Sequence, residues 1–181
     1  FLGLRNLDVI ADTADHLGMA PYDLIDLIGE NIEDKPTFDL LSRGGGVGVF
    51  QLESTPMREL MKAIQPSNFD EVAALIALYR PGPMAADMHN EFARRKHGET
   101  KVEYLHADAE EALNYTYGLM VYQEQLMAVA RQFAGFTMAE ADVLRKACGK
   151  KIPEVMAEQE DKFKQGCRDN GYDDSIGNEW R

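Results

Sequence analysis

Four cations lie within seven residues near position 150, and no acidic side chain separates them. They are Arg145, Lys146, Lys150 and Lys151, and the apolar spacing around them predicts a helix that ends in this stretch. Guanidinium and ammonium groups that are fixed on a helix suit the binding of phosphate oxygens. Cations near a helix C-terminus also complement the helix dipole, so a purely structural role stays open.

A preceding helix is predicted to position this basic segment. Tyr122, Leu126, Val129 and Phe133 have the spacing of one apolar stripe on a helix. Gly135 then supplies the left-handed residue that a helix end favours.

The basic helix itself is predicted to begin at a capping box. Thr137 is followed three residues later by Glu140, and this pair satisfies backbone donors at a helix start. The predicted buried residues of the second helix are Met138, Ala141, Leu144 and Cys148.

A fifth candidate cation, Arg80, follows a predicted helix that has Asn68 as its cap and is apolar over residues 72–79. Pro81 and Pro83 flank Gly82 directly after it, and prolines fix the exit of the chain. Arg80 is therefore held on a rigid turn, where it either faces a ligand or only complements the helix end.

The glycine-rich stretch at residues 43–50 invites comparison with a phosphate-binding loop. It lacks the Gly-Lys-Ser/Thr ending of such loops, so turns with positive φ are the better interpretation. Residues 47–52 are predicted to form a short strand. The prediction for the whole chain is a mainly α fold, one compact unit of about eight helices with little strand.

Composition narrows the functional class. The 181 residues are 45% hydrophobic with a net charge of -12, and the chain has neither a bilayer-spanning segment nor a leader, so we expect a soluble cytoplasmic protein without membrane partners. The net charge argues against general coating of nucleic acid.

The chain starts at Phe1 in a helical pattern, and we expect it to be a piece of a longer protein. Neither a catalytic set nor a metal-ligand cluster is predicted.

Seven short segments together resemble bacterial replicative DNA polymerases of the C family, in order and in approximate spacing. They are residues 1–5 (FLGLR), 49–54 (VFQLES), 77–83 (ALYRPGP), 95–98 (RKHG), 116–118 (TYG), 121–125 (VYQEQ) and 144–151 (LRKACGKK). The resemblance implies that residues 1–181 form a single fingers domain of the DNA polymerase III alpha subunit. Such a domain would bind deoxynucleoside triphosphates and primed DNA, and would meet other replisome subunits through the full-length protein.

The resemblance also implies roles for single residues. Arg145 and Lys146 would face the triphosphate and Tyr122 the nascent base pair, while Lys150, Lys151 and Arg80 would contact DNA. The family more often has two arginines where this chain has Arg145 and Lys146. Magnesium would be bound by palm carboxylates outside this chain, so the chain alone would be catalytically inactive.

Two other functions remain open. One is a non-catalytic helical interaction module of the replisome, which would bind protein partners through the acidic amino-terminal third. The other is a nucleotide-hydrolysing domain built on the glycine-rich stretch, which the missing Gly-Lys-Ser/Thr disfavours.

Overall fold

The structure is a computed structural model that describes residues 3–30, 32–150, 153–173 and 175–176. These residues contain eleven α-helices and two short 3-10 helices, and they contain no β-strand. The mainly α prediction is confirmed. The strand predicted at residues 47–52 is wrong, because these residues form successive turns. Lys151 lies outside the described residues.

The chain divides into two compact units, residues 1–76 and 77–181, and each is described by itself. The prediction of one fingers domain over all 181 residues stays a prediction. None of the helices in the described ranges combines the length and apolar character that are needed to cross a bilayer.

The first unit contains four helices and most of a fifth. They are α1 (Arg5–His16), α2 (Pro21–Glu30), α3 (Lys35–Ser42), α4 (Thr55–Ile64) and α5 (Phe69–Leu78). The sequence predicts Thr55 as the cap of α4, but the structure has Ser54 there, since its hydroxyl accepts from the Met57 amide at 3.4 Å. The helical spacing of Met57, Leu60, Met61 and Ile64 predicts one apolar stripe on α4, and all four are buried.

The glycine-rich stretch forms tight turns that pack closely against other residues of this unit. Gly44 and Gly48 have φ of 76°, as a turn with positive φ requires. A Cβ on Gly46 would overlap the carbonyl oxygen of Leu52. The Arg58 side chain of α4 donates to the Gly44 carbonyl at 2.8 Å. These contacts agree with the turn interpretation of the stretch.

The second unit contains the other six α-helices. They are α6 (Pro81–Ala85), α7 (Met88–Lys96), α8 (Glu110–Leu113), α9 (Gln123–Ala134), α10 (Met138–Lys150) and α11 (Pro153–Asp169). The prolines after Arg80 begin the new helix α6, because proline is well tolerated in a first helical turn.

The core of the second unit lies where α9, α10 and α11 pack together. Its largest side chains are Phe133, Phe136, Leu144 and Phe163, each at most 5% exposed. Burying a side chain of this size stabilises the fold by about 1.5–3 kcal/mol. The orientations of α9, which directly follows Tyr122, and of α10, which carries Arg145, Lys146 and Lys150, are thereby fixed.

Candidate nucleotide-binding site

The start of α9 is set by a side chain that folds back on the preceding residues. Oε1 of Gln125 accepts hydrogen bonds from the backbone amides of Val121 at 2.8 Å and Tyr122 at 2.9 Å. Helix starts leave backbone donors unpaired, so this amide acts as a cap. Tyr122 is therefore the residue before the helix, with φ of -110°, and its predicted place within the helical stripe is wrong.

The nitrogen atom of the Gln125 side-chain amide also makes two hydrogen bonds. Its Nε2 donates to the carbonyl oxygen of Ala112 at 3.1 Å and to Oγ1 of Thr116 at 2.7 Å. Gln125 is 2% exposed and Thr116 is fully buried, so these polar atoms depend on one another for their hydrogen bonds. The backbone of Tyr122 is thus tied to α8 and the turn that follows it.

Two tyrosine rings are stacked beside this cap. The centroids of Tyr115 and Tyr122 are 6.1 Å apart, and their planes differ by 11°. Tyr115 is 44% exposed and Tyr122 is half-buried. Offset parallel stacking is a favourable geometry for aromatic pairs. An exposed aromatic face of this kind can also stack on a nucleobase.

The turn between α9 and α10 forms as the sequence predicts. Gly135 has φ of 66°. The Glu140 carboxylate accepts from the amide and hydroxyl of Thr137, each at 2.8 Å, and the Glu140 amide donates to the Thr137 hydroxyl at 3.3 Å. A hydrogen bond from Lys162, together with those from Thr137, lowers the pKa of Glu140 to about 2. The predicted capping box is present, and it fixes the start of the basic helix.

Burial along α10 matches the prediction in part. Ala141 and Leu144 are fully buried, and Cys148 is half-buried. Met138 is 58% exposed, so its predicted burial is wrong. Met138 directly follows the Thr137 cap, where the helix has only begun to enter the core.

Arg145 and Lys146 share one carboxylate. Oδ1 of Asp142 accepts from Nε of Arg145 at 2.9 Å and from Nη2 at 2.7 Å, and Oδ2 lies 2.6 Å from Nζ of Lys146. The hydrogen bond from Lys146, followed by that from Arg145, lowers the pKa of Asp142. The two cations are therefore ordered by an acid one turn earlier, which the prediction of a purely basic segment did not include.

A further hydrogen bond connects the two halves of the predicted nucleotide site. Nη1 of Arg145 donates to Oε1 of Gln123 at 3.1 Å. Gln123 is the first residue of α9 and directly follows Tyr122. The candidate phosphate-binding cation on α10 is thus bound to the helix start that carries the candidate base-contacting ring.

The predicted DNA-binding residues are less closely connected to this cluster. Lys150 is exposed in the last turn of α10, and its spacing of four residues from Lys146 puts both on one helix face. Arg80 is exposed and precedes α6. No hydrogen bond or ion pair within the described residues joins Arg80 to the cluster on α10. Lys151 lies outside the described residues, so nothing tests its role.

A second basic segment, at the end of α7, is neutralised by acids of the same helix region. Nη2 of Arg94 lies 3.1 Å from Asp87 and 2.9 Å from Glu91, and Nε of Arg95 lies 2.7 Å from Glu91. Arg95 also donates to the Tyr117 carbonyl at 3.1 Å. Arg94 and Arg95 therefore have a structural role at α7, and they are not part of the candidate site.

Two further features bear on ligands. A cavity of about 420 Å³ lies against α9, lined by Asp108, Glu111, Ala112, Ala128, Arg131 and Gln132, and these are not the residues that the sequence singles out. No group of three or more His, Cys, Asp or Glu side chains that could hold a metal ion occurs in the described part of the chain. The resemblance assigns the magnesium ligands to carboxylates outside this chain.

Comparison with known proteins gives one consistent result. A profile of the bacterial DNA polymerase III alpha subunit finger domain matches residues 6–171. The DNA polymerase III subunit alpha of Mycobacterium tuberculosis is 45% identical over 176 residues, which cover 95% of this chain and 15% of the relative. The Pseudomonas aeruginosa protein of the same name is 43% identical, over 98% of this chain and 16% of the relative.

A third relative, the DNA polymerase III subunit alpha of Saccharopolyspora erythraea, is 44% identical over 99% of this chain. The chain spans about a sixth of the length of these curated relatives, 15–16%. The match covers α1 except its first residue and all of α2 to α11, including both helices of the candidate site. The chain belongs to the finger domain family of bacterial DNA polymerase III alpha subunits.

Proposed function

We propose that this chain is the part of a DNA-directed DNA polymerase that binds the incoming deoxynucleoside triphosphate and the primed template during replication of bacterial DNA. Arg145, Lys146 and Tyr122 contact the nucleotide. Lys150, Lys151 and Arg80 contact the DNA. Other replisome subunits are partners of the longer protein, and this chain has no catalytic activity on its own.

The chemistry of the proposed nucleotide site follows from its side chains. The planar guanidinium of Arg145 can bind two phosphate oxygens, and the ammonium of Lys146 adds a point charge beside it. The Tyr122 ring offers an apolar face to the base, with Tyr115 stacked beside it. Such groups position a triphosphate and stabilise developing charge, which is most of what a protein contributes to phosphoryl transfer.

The hydrogen bond from Arg145 to Gln123, at 3.1 Å, is the observation that supports the proposal most. It holds a phosphate-binding group of α10 against the start of α9, directly next to Tyr122. A base and a triphosphate belong to one molecule, so a site for both needs the two helices in a fixed relation. Cations that only complement a helix end would need no such bond between helices.

Magnesium enters this proposal only through the longer protein. The described residues lack a group of three acids or other metal ligands, so we assign no metal-dependent step to them. Carboxylates outside this chain would hold the ions, and the ions would supply charge neutralisation and activation of the primer hydroxyl. The residues described above bind and orient.

Replacing Arg145 or Lys146 with alanine in the complete alpha subunit tests the proposal. A charge-assisted hydrogen bond lost from the transition state lowers kcat/KM for nucleotide incorporation roughly 10- to 150-fold. Arg145→Ala should be the more harmful change, because its planar fork can bind two oxygens. Primed-template affinity should change little. The measurement is steady-state incorporation on a primed template, with template binding measured separately.

Lys164→Ala is the matched control. Lys164 of α11 pairs with Glu160 one turn earlier, at 2.7 Å, as Lys146 pairs with Asp142. This control should leave incorporation unchanged, and the isolated chain should extend no primer at all. An Arg145→Ala subunit that melts at a lower temperature yet incorporates nucleotide as efficiently as the parent would refute the triphosphate role.

A further inference from the structure

The Asp142 carboxylate makes the kind of contact with Arg145 and Lys146 that an anionic ligand would make. Its Oδ1 accepts two hydrogen bonds from Arg145 and its Oδ2 accepts one from Lys146, at 2.6–2.9 Å. Phosphate oxygens accept the same charge-assisted hydrogen bonds from the same donors. An anion of this chain therefore already binds both cations that the proposed function assigns to the triphosphate.

We infer, on the basis of the proposed function, that Asp142 is an internal counter-anion of the triphosphate site, which the incoming nucleotide displaces from Lys146. In the nucleotide-free protein the carboxylate keeps both cations in place. When the triphosphate binds, Lys146 exchanges Asp142 for a phosphate oxygen, while Arg145 keeps its orientation. Asp142 thus sets how tightly the site binds a polyphosphate.

Lys146 is the cation that can leave Asp142 most easily. Its side chain is 57% exposed, against 30% for Arg145, and an ammonium on a flexible stem carries its charge to a new partner without a fixed geometry. Exposed ion pairs are weak and are easily replaced by another anion. A triphosphate with several charged oxygens is a stronger competitor for Lys146 than a single carboxylate.

Arg145 is held by more contacts and can stay. Two of its N–H groups bind Asp142, and a third binds Gln123 at 3.1 Å. A guanidinium has five N–H donors, so two remain for phosphate oxygens without loss of the others. The structure therefore assigns different parts to the two cations, although the sequence presents them as neighbours.

The inference predicts the direction in which an Asp142 variant changes affinity. If part of the free protein has Lys146 held by Asp142, the apparent Kd is raised in proportion to that fraction. In Asp142→Asn, Oδ1 can still accept from Arg145, but the amide nitrogen cannot accept from Lys146. Lys146 is then released, and we expect polyphosphate to bind roughly two- to fivefold more tightly.

Titration of the 181-residue chain with inorganic tripolyphosphate, without divalent metal, measures this by calorimetry. Asp161→Asn is the charge-matched control, because Asp161 is an exposed acid of α11 and is not the acid that pairs with Arg145 and Lys146. The gain in affinity should be clearly larger for Asp142→Asn than for Asp161→Asn. Equal gains would attribute the effect to net charge and overturn the inference, as would weaker binding by Asp142→Asn.

A Lys146→Ala background isolates the displacement step. There Asp142→Asn should no longer tighten binding, because the cation that it releases is absent; a persistent gain would mean simple repulsion and would overturn the inference. Arg145→Ala is titrated in parallel. If Arg145→Ala leaves tripolyphosphate binding unchanged, the proposed function loses its phosphate site, whatever the Asp142 variants do. The two ideas can thus fail separately.

Discussion

The uncharged side chain of Gln125 makes four hydrogen bonds at the candidate site. Its side-chain amide satisfies two backbone donors before α9 and makes two further hydrogen bonds to Ala112 and Thr116. A buried polar group that loses its partner costs about 1–3 kcal/mol. Removal of one amide would leave several groups without partners, so the position of Tyr122 depends on this single residue.

Gln125→Leu should therefore destabilise the fold by about 2–4 kcal/mol, since leucine fills a similar volume but makes no hydrogen bonds. Gln125→Glu keeps the acceptor but replaces the donor with a buried carboxylate oxygen that faces the Ala112 carbonyl, so at neutral pH it should also destabilise the fold. Gln165→Leu is the control: Gln165 is exposed and binds Asp169 at 2.8 Å, and it should cost less than about 0.5 kcal/mol. Urea unfolding would measure all three variants, and equal losses for Gln125→Leu and Gln165→Leu would contradict the proposed anchoring role.

The sequence holds part of this information at the residue scale. Asp142 precedes Arg145 by three positions and Lys146 by four, and this spacing puts acid and base on one helix face. The ion pairs could therefore have been predicted from the pattern. The bond between Arg145 and Gln123 could not, because it joins residues 22 positions apart whose approach depends on how α9 packs against α10.

At the scale of helices, α11 approaches the end of α9 unusually closely. A Cβ on Gly166 would overlap the carbonyl oxygen of Ala134, the last residue of α9. A little further along, the Asn170 side chain donates to the Phe133 carbonyl at 2.9 Å. The C-terminal carbonyls of a helix lack intrahelical donors, so α11 packs against the end of α9 and Asn170, which directly follows α11, caps it.

Gly166→Ala should destabilise the second unit although alanine is the better helix former. The propensity gain is about 1 kcal/mol, whereas overpacking against backbone typically costs 1–3 kcal/mol. Gly149→Ala is the matched control in α10, where an added Cβ meets nothing within 4 Å, so stability should rise by up to about 1 kcal/mol. Thermal unfolding would compare the two. A Gly166→Ala chain more stable than the parent would contradict the close packing of α11 on α9.

Helix ends that depend on local signals can be predicted from the sequence. Helix ends that depend on contacts with distant residues cannot. Gly135, Thr137 and Glu140 act within a few residues of one another, and the predicted turn is present. The sequence predicts the start of α9 too early, because the apolar spacing continues back to Tyr122. The Gln125 side chain that caps the helix also binds Ala112 and Thr116, and these contacts cannot be read from the local pattern. Residues 47–52 have strand-forming valines but no strand partner among the described residues, so turns prevail there.

For the whole molecule, the distribution of charge limits how DNA can be bound. The net charge is -12, and nine acids but only one lysine lie between positions 8 and 39. Arg94 and Arg95 are paired with acids of their own helix region. In the proposed function the phosphates are therefore bound mainly by the end of α10, with Arg80 as a separate contact before α6, and a chain of this net charge should bind DNA weakly.

We expect the isolated chain to bind primed DNA in a strongly salt-dependent way, because each phosphate contact releases counterions. Lys150→Ala should weaken binding at low salt and reduce the slope of log K against log salt by about one. Lys35→Ala removes the same charge from α3, where Lys35 pairs with Asp39 at 2.7 Å, and it should leave the slope unchanged. Fluorescence anisotropy of a labelled primed template from 20 to 200 mM salt, on the order of a tenfold range, gives each slope. Equal slopes for the parent and Lys150→Ala would remove Lys150 from the DNA contact, and binding independent of salt would exclude a phosphate-dominated mode for the whole chain.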